Sequence, residues 1–194
     1  MKKFGIVIAI VAILVIWGVS KYNGLVKIDE DVKKGWSFVQ TQYQRRADLY
    51  KSQVDVVKGA AKNEKDILIG VTRARAGIDD AKKGIDNAKT PAELDKYMAQ
   101  AEQAALNLNI QIEAYPTITS TAAFIKFQDE ISGTENRIST ARDGYNVVVT
   151  KYNKQVRTIP TNLFASLFGF DVKEQFEAKE GSEDVPDDTS KLSE

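Results

Sequence analysis

Neither cysteine nor histidine occurs anywhere in the 194 residues. Without cysteine there is no disulfide, no thiolate nucleophile and no cysteine-ligated zinc, and either side of a membrane is permitted. Without histidine the chain lacks the commonest general base near neutral pH and the commonest metal ligand. Prolines number only four, and turn-like clusters are few, which leaves little room for an all-β fold. Charge of one sign is missing too. The 27 basic and 27 acidic residues cancel, so no basic excess marks a general nucleic-acid binder. No glycine-rich phosphate loop, Walker sequence or serine-elbow pattern occurs. What is present is an ordinary 43% of apolar residues, enough for one domain with a core and set out in long periodic runs.

The first run has no polar face. Phe4 to Val19, FGIVIAIVAILVIWGV, is 16 uncharged residues behind Met1-Lys2-Lys3. That is slightly short of the roughly 20 that usually span a bilayer, but Ser20 can be absorbed and Lys2, Lys3 and Lys21 can snorkel. Trp17 and Tyr22 stand near one end, as interface aromatics do. The reading is a membrane anchor over residues 1–21, touching lipid through residues 4–20. A cleaved signal peptide ranks second, because Gly18-Val19-Ser20 offers small residues where a peptidase inspects. A buried core helix ranks third. Lys21, Lys27, Lys33 and Lys34 outweigh Lys2 and Lys3, which favours a short outer N-terminus and a cytoplasmic main domain at a bacterial inner membrane.

Four amphipathic helices follow. The first carries Leu25, Ile28, Val32, Trp36, Val39, Tyr43, Ala47, Tyr50, Val54, Val57 and Ala61 at a mean spacing of 3.6, with Gly59 as its natural bend or stop. The second, from about Asn63 to Lys89, carries Ile67, Val71, Ala74, Ile78, Ala81, Ile85 and Ala88 near the heptad period. Gly70, Gly77 and Gly84 lie seven apart, a spacing that suits close packing or, less economically, a groove for another chain. Thr90-Pro91-Ala92-Glu93 is a capping box that starts a third helix with Leu94, Tyr97, Ala101, Ala104, Leu108, Ile112 and Tyr115. Pro116 ends it. The fourth run is Phe124 to Val156, with Phe124, Phe127, Ile131, Ile138, Ala141, Tyr145, Val149, Tyr152 and Val156 on one face. It reads as the spine against which the others lie. Beyond Pro160, Leu163 to Phe170 is too short to span a bilayer. It packs back over the helices by default, or lies in a membrane interface, or meets a partner. Residues 179–194 hold six acidic and two basic residues and read as a disordered tail.

These pieces together resemble the LemA family. The resemblance is carried by the anchor followed by Tyr22-Asn23-Gly24-Leu25-Val26, by Trp36-Ser37, Arg45-Arg46-Ala47-Asp48-Leu49 and Val57-Lys58-Gly59-Ala60-Ala61, and by Thr72-Arg73-Ala74-Arg75-Ala76 and Glu113-Ala114-Tyr115-Pro116. The most specific piece is Thr134-Glu135-Asn136-Arg137-Ile138, followed by Ala141-Arg142, Tyr145-Asn146 and Tyr152-Asn153. It implies an all-α fold, a long antiparallel four-helix bundle over residues 22–178 behind a single N-terminal transmembrane helix with its short N-terminus outside. It carries over no established enzymatic activity. The family's usual Pro-Asn-Leu type of step after Asp-Leu-Ile is absent, since Asp48-Leu49-Tyr50 is followed by Lys51-Ser52-Gln53. That absence favours an unbroken first helix.

The polar candidates are Arg45, Arg46, Asp48, Glu135, Arg137, Arg142, Asn146 and Asn153. Glu135, Arg142, Asn146 and Asn153 share one helical strip. A catalytic reading makes Glu135 a general base and Arg142 an anion clamp, but needs a second acid or a metal. The structural reading pairs Glu135 with an arginine between helices and lets Asn146 and Asn153 bond across the bundle or cap the chain end; it is preferred. Asp29-Glu30-Asp31 and Asp79-Asp80 read as solvated surface rather than metal ligands. The expectation is a non-enzymatic structural, scaffold or adaptor protein of the bacterial envelope, needing no cofactor or nucleic acid, whose partners are lipid, further copies of itself or other envelope proteins. The alternatives are a regulator or hydrolase working at Glu135 and Arg142, and a membrane-remodelling or stress protein.

Overall fold

A computed structural model of the chain describes residues 2–61 and 64–177. The acidic tail expected over 179–194, Asn63 and Met1 lie outside the described residues. Six helices follow in order: α1 (Lys2–Ala61), α2 (Lys65–Asn87), α3 (Pro91–Ile112), α4 (Pro116–Thr119), α5 (Ala122–Arg157) and α6 (Thr161–Leu167). No strand occurs among the described residues.

The spine is α1 rather than the Phe124–Val156 run. α1 holds 60 residues against 36 for α5, and all five other helices pack on it. Its length is about 90 Å at 1.5 Å per residue. No proline interrupts it, and it passes through Gly59 to end two residues later at Ala61. From Leu25 onward its stripe lies in the core. Nine of the eleven expected positions are buried, while Ile28 and Trp36 are half-buried against the same cluster. From Phe4 to Ile16 every side chain is exposed. This is the one helix among the described residues long and apolar enough to cross a membrane.

Polar stitches set direction. Gln44–Asp86, Asp48–Lys82, Lys51–Asp79 and Asp55–Arg75 pair α1 with α2, each step forward on one matched by an equal step back on the other. The two helices therefore run antiparallel. α5 also runs antiparallel to α1, with Tyr43 meeting Arg142 and Trp36 meeting Tyr145. α3 runs parallel to α1, with Asp95 at Tyr43 and Glu102 at Arg46. Among the described residues no Cα of α3 comes within 8 Å of a Cα of α5. Exposed ion pairs such as those on α2 contribute about 0–1 kcal/mol each, so they set register more than stability.

The α2 stripe is buried as the heptads predict, Ile67 through Ala88. On α3 the buried set is Pro91, Leu94, Met98, Ala101, Ala105, Leu108 and Ile112. The expected Tyr97 and Ala104 turn sideways instead and are half-buried. The cause is the glycine ladder. Tyr97, Ala104 and Gln111, themselves seven apart, face Gly84, Gly77 and Gly70. The glycines thus let α3 approach, and the groove for another chain is filled by this one. The capping box forms as expected, Thr90 Oγ1 accepting from the Glu93 N–H at 3.2 Å and the Glu93 carboxylate accepting from the Thr90 N–H at 3.3 Å. On α5 the seven-residue gap in the stripe is filled by Thr134, buried, its hydroxyl donating to the Ile131 carbonyl at 2.5 Å.

The ladder predicts a graded response to alanine. A Cβ at Gly84 would run into the Tyr97 ring, and one at Gly77 would stand 3.0 Å from the Ala104 Cβ. Gly84→Ala should therefore lose about 1–3 kcal/mol by overpacking. At Gly70 the obstacle is the movable end of Gln111, so Gly70→Ala should gain up to about 1 kcal/mol from helix propensity. Thermal melts followed by circular dichroism measure both. Equal responses at the two positions would contradict close packing as the ladder's role.

Candidate functional site

Tyr43 is fully buried on α1, so its hydroxyl must find partners. It donates to Asp95 Oδ1 of α3 at 2.6 Å and accepts from Arg142 Nε of α5 at 2.7 Å. The Arg142 guanidinium also pairs with Asp95 and lies over the rings of Tyr43 and Phe176, 5.4 and 5.2 Å from their centroids. One knot thus joins three helices, two of which have no backbone approach of their own. Arg46 repeats the theme one turn on, reaching Glu102 of α3 at 2.9 Å and the Tyr50 hydroxyl at 3.2 Å. Between α1, α3 and α5 here lies an open groove of about 480 Å³ lined by Arg46, Tyr50, Glu102 and Ile131.

Below the knot an extended segment, residues 171–177, runs back along α5. Asn153 donates to the Lys173 carbonyl at 2.8 Å and accepts from its N–H at 2.9 Å. Asn146 does the same with Phe176, at 2.8 and 2.9 Å. Each amide side chain replaces the strand neighbour that the extended backbone would otherwise need. The spacing explains the fit. Seven helical residues rise about 10.5 Å, and three extended residues about 10 Å. Phe176 is buried among Trp36, Tyr43 and Tyr145, with ring centroids 6.2, 6.4 and 5.5 Å away. Lys173 reaches Asp29 of α1 at 3.0 Å.

The expected candidates therefore separate. Arg46, Arg142, Asn146 and Asn153 are engaged between elements. Asp48 pairs with Lys82 of α2 on an exposed face. Arg45, Arg137 and Glu135 are exposed and have no ion pair or side-chain hydrogen bond among the described residues. The acid paired to the arginines is not Glu135 but Asp95 and Glu102, both on α3. Periodicity could not reveal them, because charged residues at the edge of a stripe look like any solvated face. Phe176 packs back on the bundle, as its apolar ring leads one to expect; its seat among Trp36, Tyr43 and Tyr145 depends on its segment being extended, for which the seven-residue interval between Asn146 and Asn153 is the available signal.

Burial, then the hydrogen bond to Asp95, pushes the Tyr43 phenol well above its ordinary value, so it stays a neutral donor. Asp29 is held below the usual carboxylate range: burial opposes this, but Lys33 and Lys173 outweigh it. Among the described residues no three His, Cys, Asp or Glu side chains converge to hold a metal ion.

Two outcomes follow from this geometry. Asn153→Ala and Asn146→Ala each strand a backbone pair. Each should cost about 1–3 kcal/mol and speed amide exchange across 171–177, read by hydrogen–deuterium exchange, while α2 and α3 stay protected. Burial also raises Tyr50, Tyr145 and Tyr152, the last to about 12. Neutral phenols are favoured only in the folded state. Their stabilisation is intact below about pH 10, the unfolded value, and is lost as pH climbs through the folded values. Helical signal should fall as the late tyrosines ionise, followed at 295 nm. Ionisation of all seven tyrosines near pH 10 with no loss of helix would contradict it.

Comparison with known proteins agrees with the resemblance in the chain's motifs. The chain is 28% identical over 174 residues to Protein LemA of Metamycoplasma hominis, covering 90% of this chain and 76% of that protein. It is 26% identical over 196 residues to the magnetosome proteins MamQ 1 and MamQ 2 of Paramagnetospirillum magneticum, covering 89% of this chain and 69% of each. None of these names states a catalytic activity. The LemA family model matches residues 35–188, so the chain belongs to the LemA family.

Proposed function

We propose that this protein is a membrane-anchored scaffold or adaptor of the bacterial envelope, acting by contact rather than turnover. The observation that carries the reading is the continuity of α1, whose apolar first third and buried remainder are one helix. A bundle of four long helices, α1, α2, α3 and α5, is then held rigidly at a bilayer surface. Its main domain stands on the cytoplasmic side, in line with the lysine excess after the span. The anchor is retained rather than cleaved, because Trp17 and Gly18 pack against Phe164, the two rings 5.5 Å apart. Partners are further copies of the chain or other envelope proteins, engaged through the exposed flanks of the rod.

Crosslinking in intact cells followed by mass spectrometry tests this. Crosslinks from α2 and α3 lysines to another copy or to a cytoplasmic-side membrane partner are expected. A monodisperse monomer with no intermolecular crosslink would overturn it. Glu135→Gln should leave folding and partner crosslinks unchanged; a folded variant that loses function would instead support catalysis at Glu135.

A further inference from the structure

The membrane-proximal end of the fold carries an apolar surface that the core does not use. α6 buries only Thr161 and Ala165. Leu163, Leu167 and Phe168 are 68%, 76% and 52% exposed, and Ile159 just before them is 78% exposed. Their height is fixed by aromatic contacts. Phe164 sits at Trp17 and Gly18, and the rings of Phe168 and Phe170 lie 5.0 and 5.8 Å from that of Tyr22. α6 is therefore level with the last turn of the apolar span.

The span itself is short. Sixteen residues cover about 24 Å of helix, against a hydrocarbon core of about 30 Å. The deficit of roughly 6 Å is the depth at which an interfacial helix lies, about 5–10 Å into the headgroup boundary. Beside α6, between α1 and the end of α5, is an open groove of about 420 Å³. Lys21, Lys151 and Lys154 line it with Thr158 and Thr161, and among the described residues no carboxylate does. None of the three lysines is in an ion pair among the described residues.

We infer that α6 and this groove form a second lipid site, in which Leu163, Leu167 and Phe168 enter the leaflet while Lys21, Lys151 and Lys154 hold the phosphate of an anionic phospholipid. The occupant is set by continuity with the span and by charge: apolar side chains level with the span's last turn, and cations lining the groove beside them. The inference rests on the reading of residues 4–19 as a bilayer span.

The cysteine-free full chain permits a direct test. Single cysteines at Ile8, Leu167 and Leu106 are spin-labelled and the protein reconstituted in phosphatidylcholine vesicles with and without phosphatidylglycerol. Accessibility to oxygen against a nickel chelate reads depth. The expected result is Ile8 in the hydrocarbon, Leu167 at the interface and deeper with phosphatidylglycerol present, and Leu106 in water. Phosphatidylglycerol retained in native mass spectra should fall roughly fivefold per lysine in Lys151→Gln and Lys154→Gln, with circular dichroism unchanged. Ile8 in hydrocarbon but Leu167 in water, or phosphatidylglycerol retention unaffected by the lysine changes, would overturn the second site and leave the anchor standing. Ile8 in water would overturn both.

Discussion

A single backbone constraint governs this molecule: α1 does not break. The same helix that presents an unrelieved apolar surface for its first four turns presents a buried stripe for the rest. Every other helix is placed by reference to it. Most helical stability in proteins comes from tertiary packing of an amphipathic face. α2 and α3 cover one part of the stripe and α5 another. The lower end is finished by α6 and the extended segment 171–177. A flexible joint after Ser20 would uncouple anchor from domain, and no glycine pair or proline is there to make one.

Because the backbones of α3 and α5 stay apart among the described residues, side chains join them, Arg142 directly to Asp95 and both to Tyr43 of α1. Tyr43, Asp95 and Arg142 make that junction with charge-assisted hydrogen bonds, and Phe176 closes it from below. Arg46 and Glu102 add a second tie on the more open side. The arginines are at work in the fold, one against a carboxylate and two aromatic rings, the other against a carboxylate and a phenol. Their planar, multi-donor heads suit such sites better than lysine would.

Most of the helix arrangement was legible in the residues, and the reasons are specific. The α2 stripe was readable because an unbroken heptad cannot be satisfied except by a neighbouring helix. The Thr90 box was readable because capping chemistry is local. Tyr97 and Ala104 match the helical period as well as Met98 and Ala105 do, and only the glycines opposite decide between them. The Phe124–Val156 stripe reads as the spine on its periodicity alone, while the apolar run and the stripe from Leu25 read as two nearly continuous segments. In the structure the two are one helix, α1. Asp95 and Glu102 were invisible because pairing across helices leaves no trace in spacing.

Whether the apolar segment and the domain form one rigid helix can be read from a distance. Nitroxides at Ile8 and Phe38, both exposed, lie 30 residues apart, about 45 Å along an unbroken helix. Electron double resonance on the full chain in lipid should give one narrow distribution at that separation. A broad distribution, or a shorter mean, would show that α1 bends at the membrane and would contradict the account.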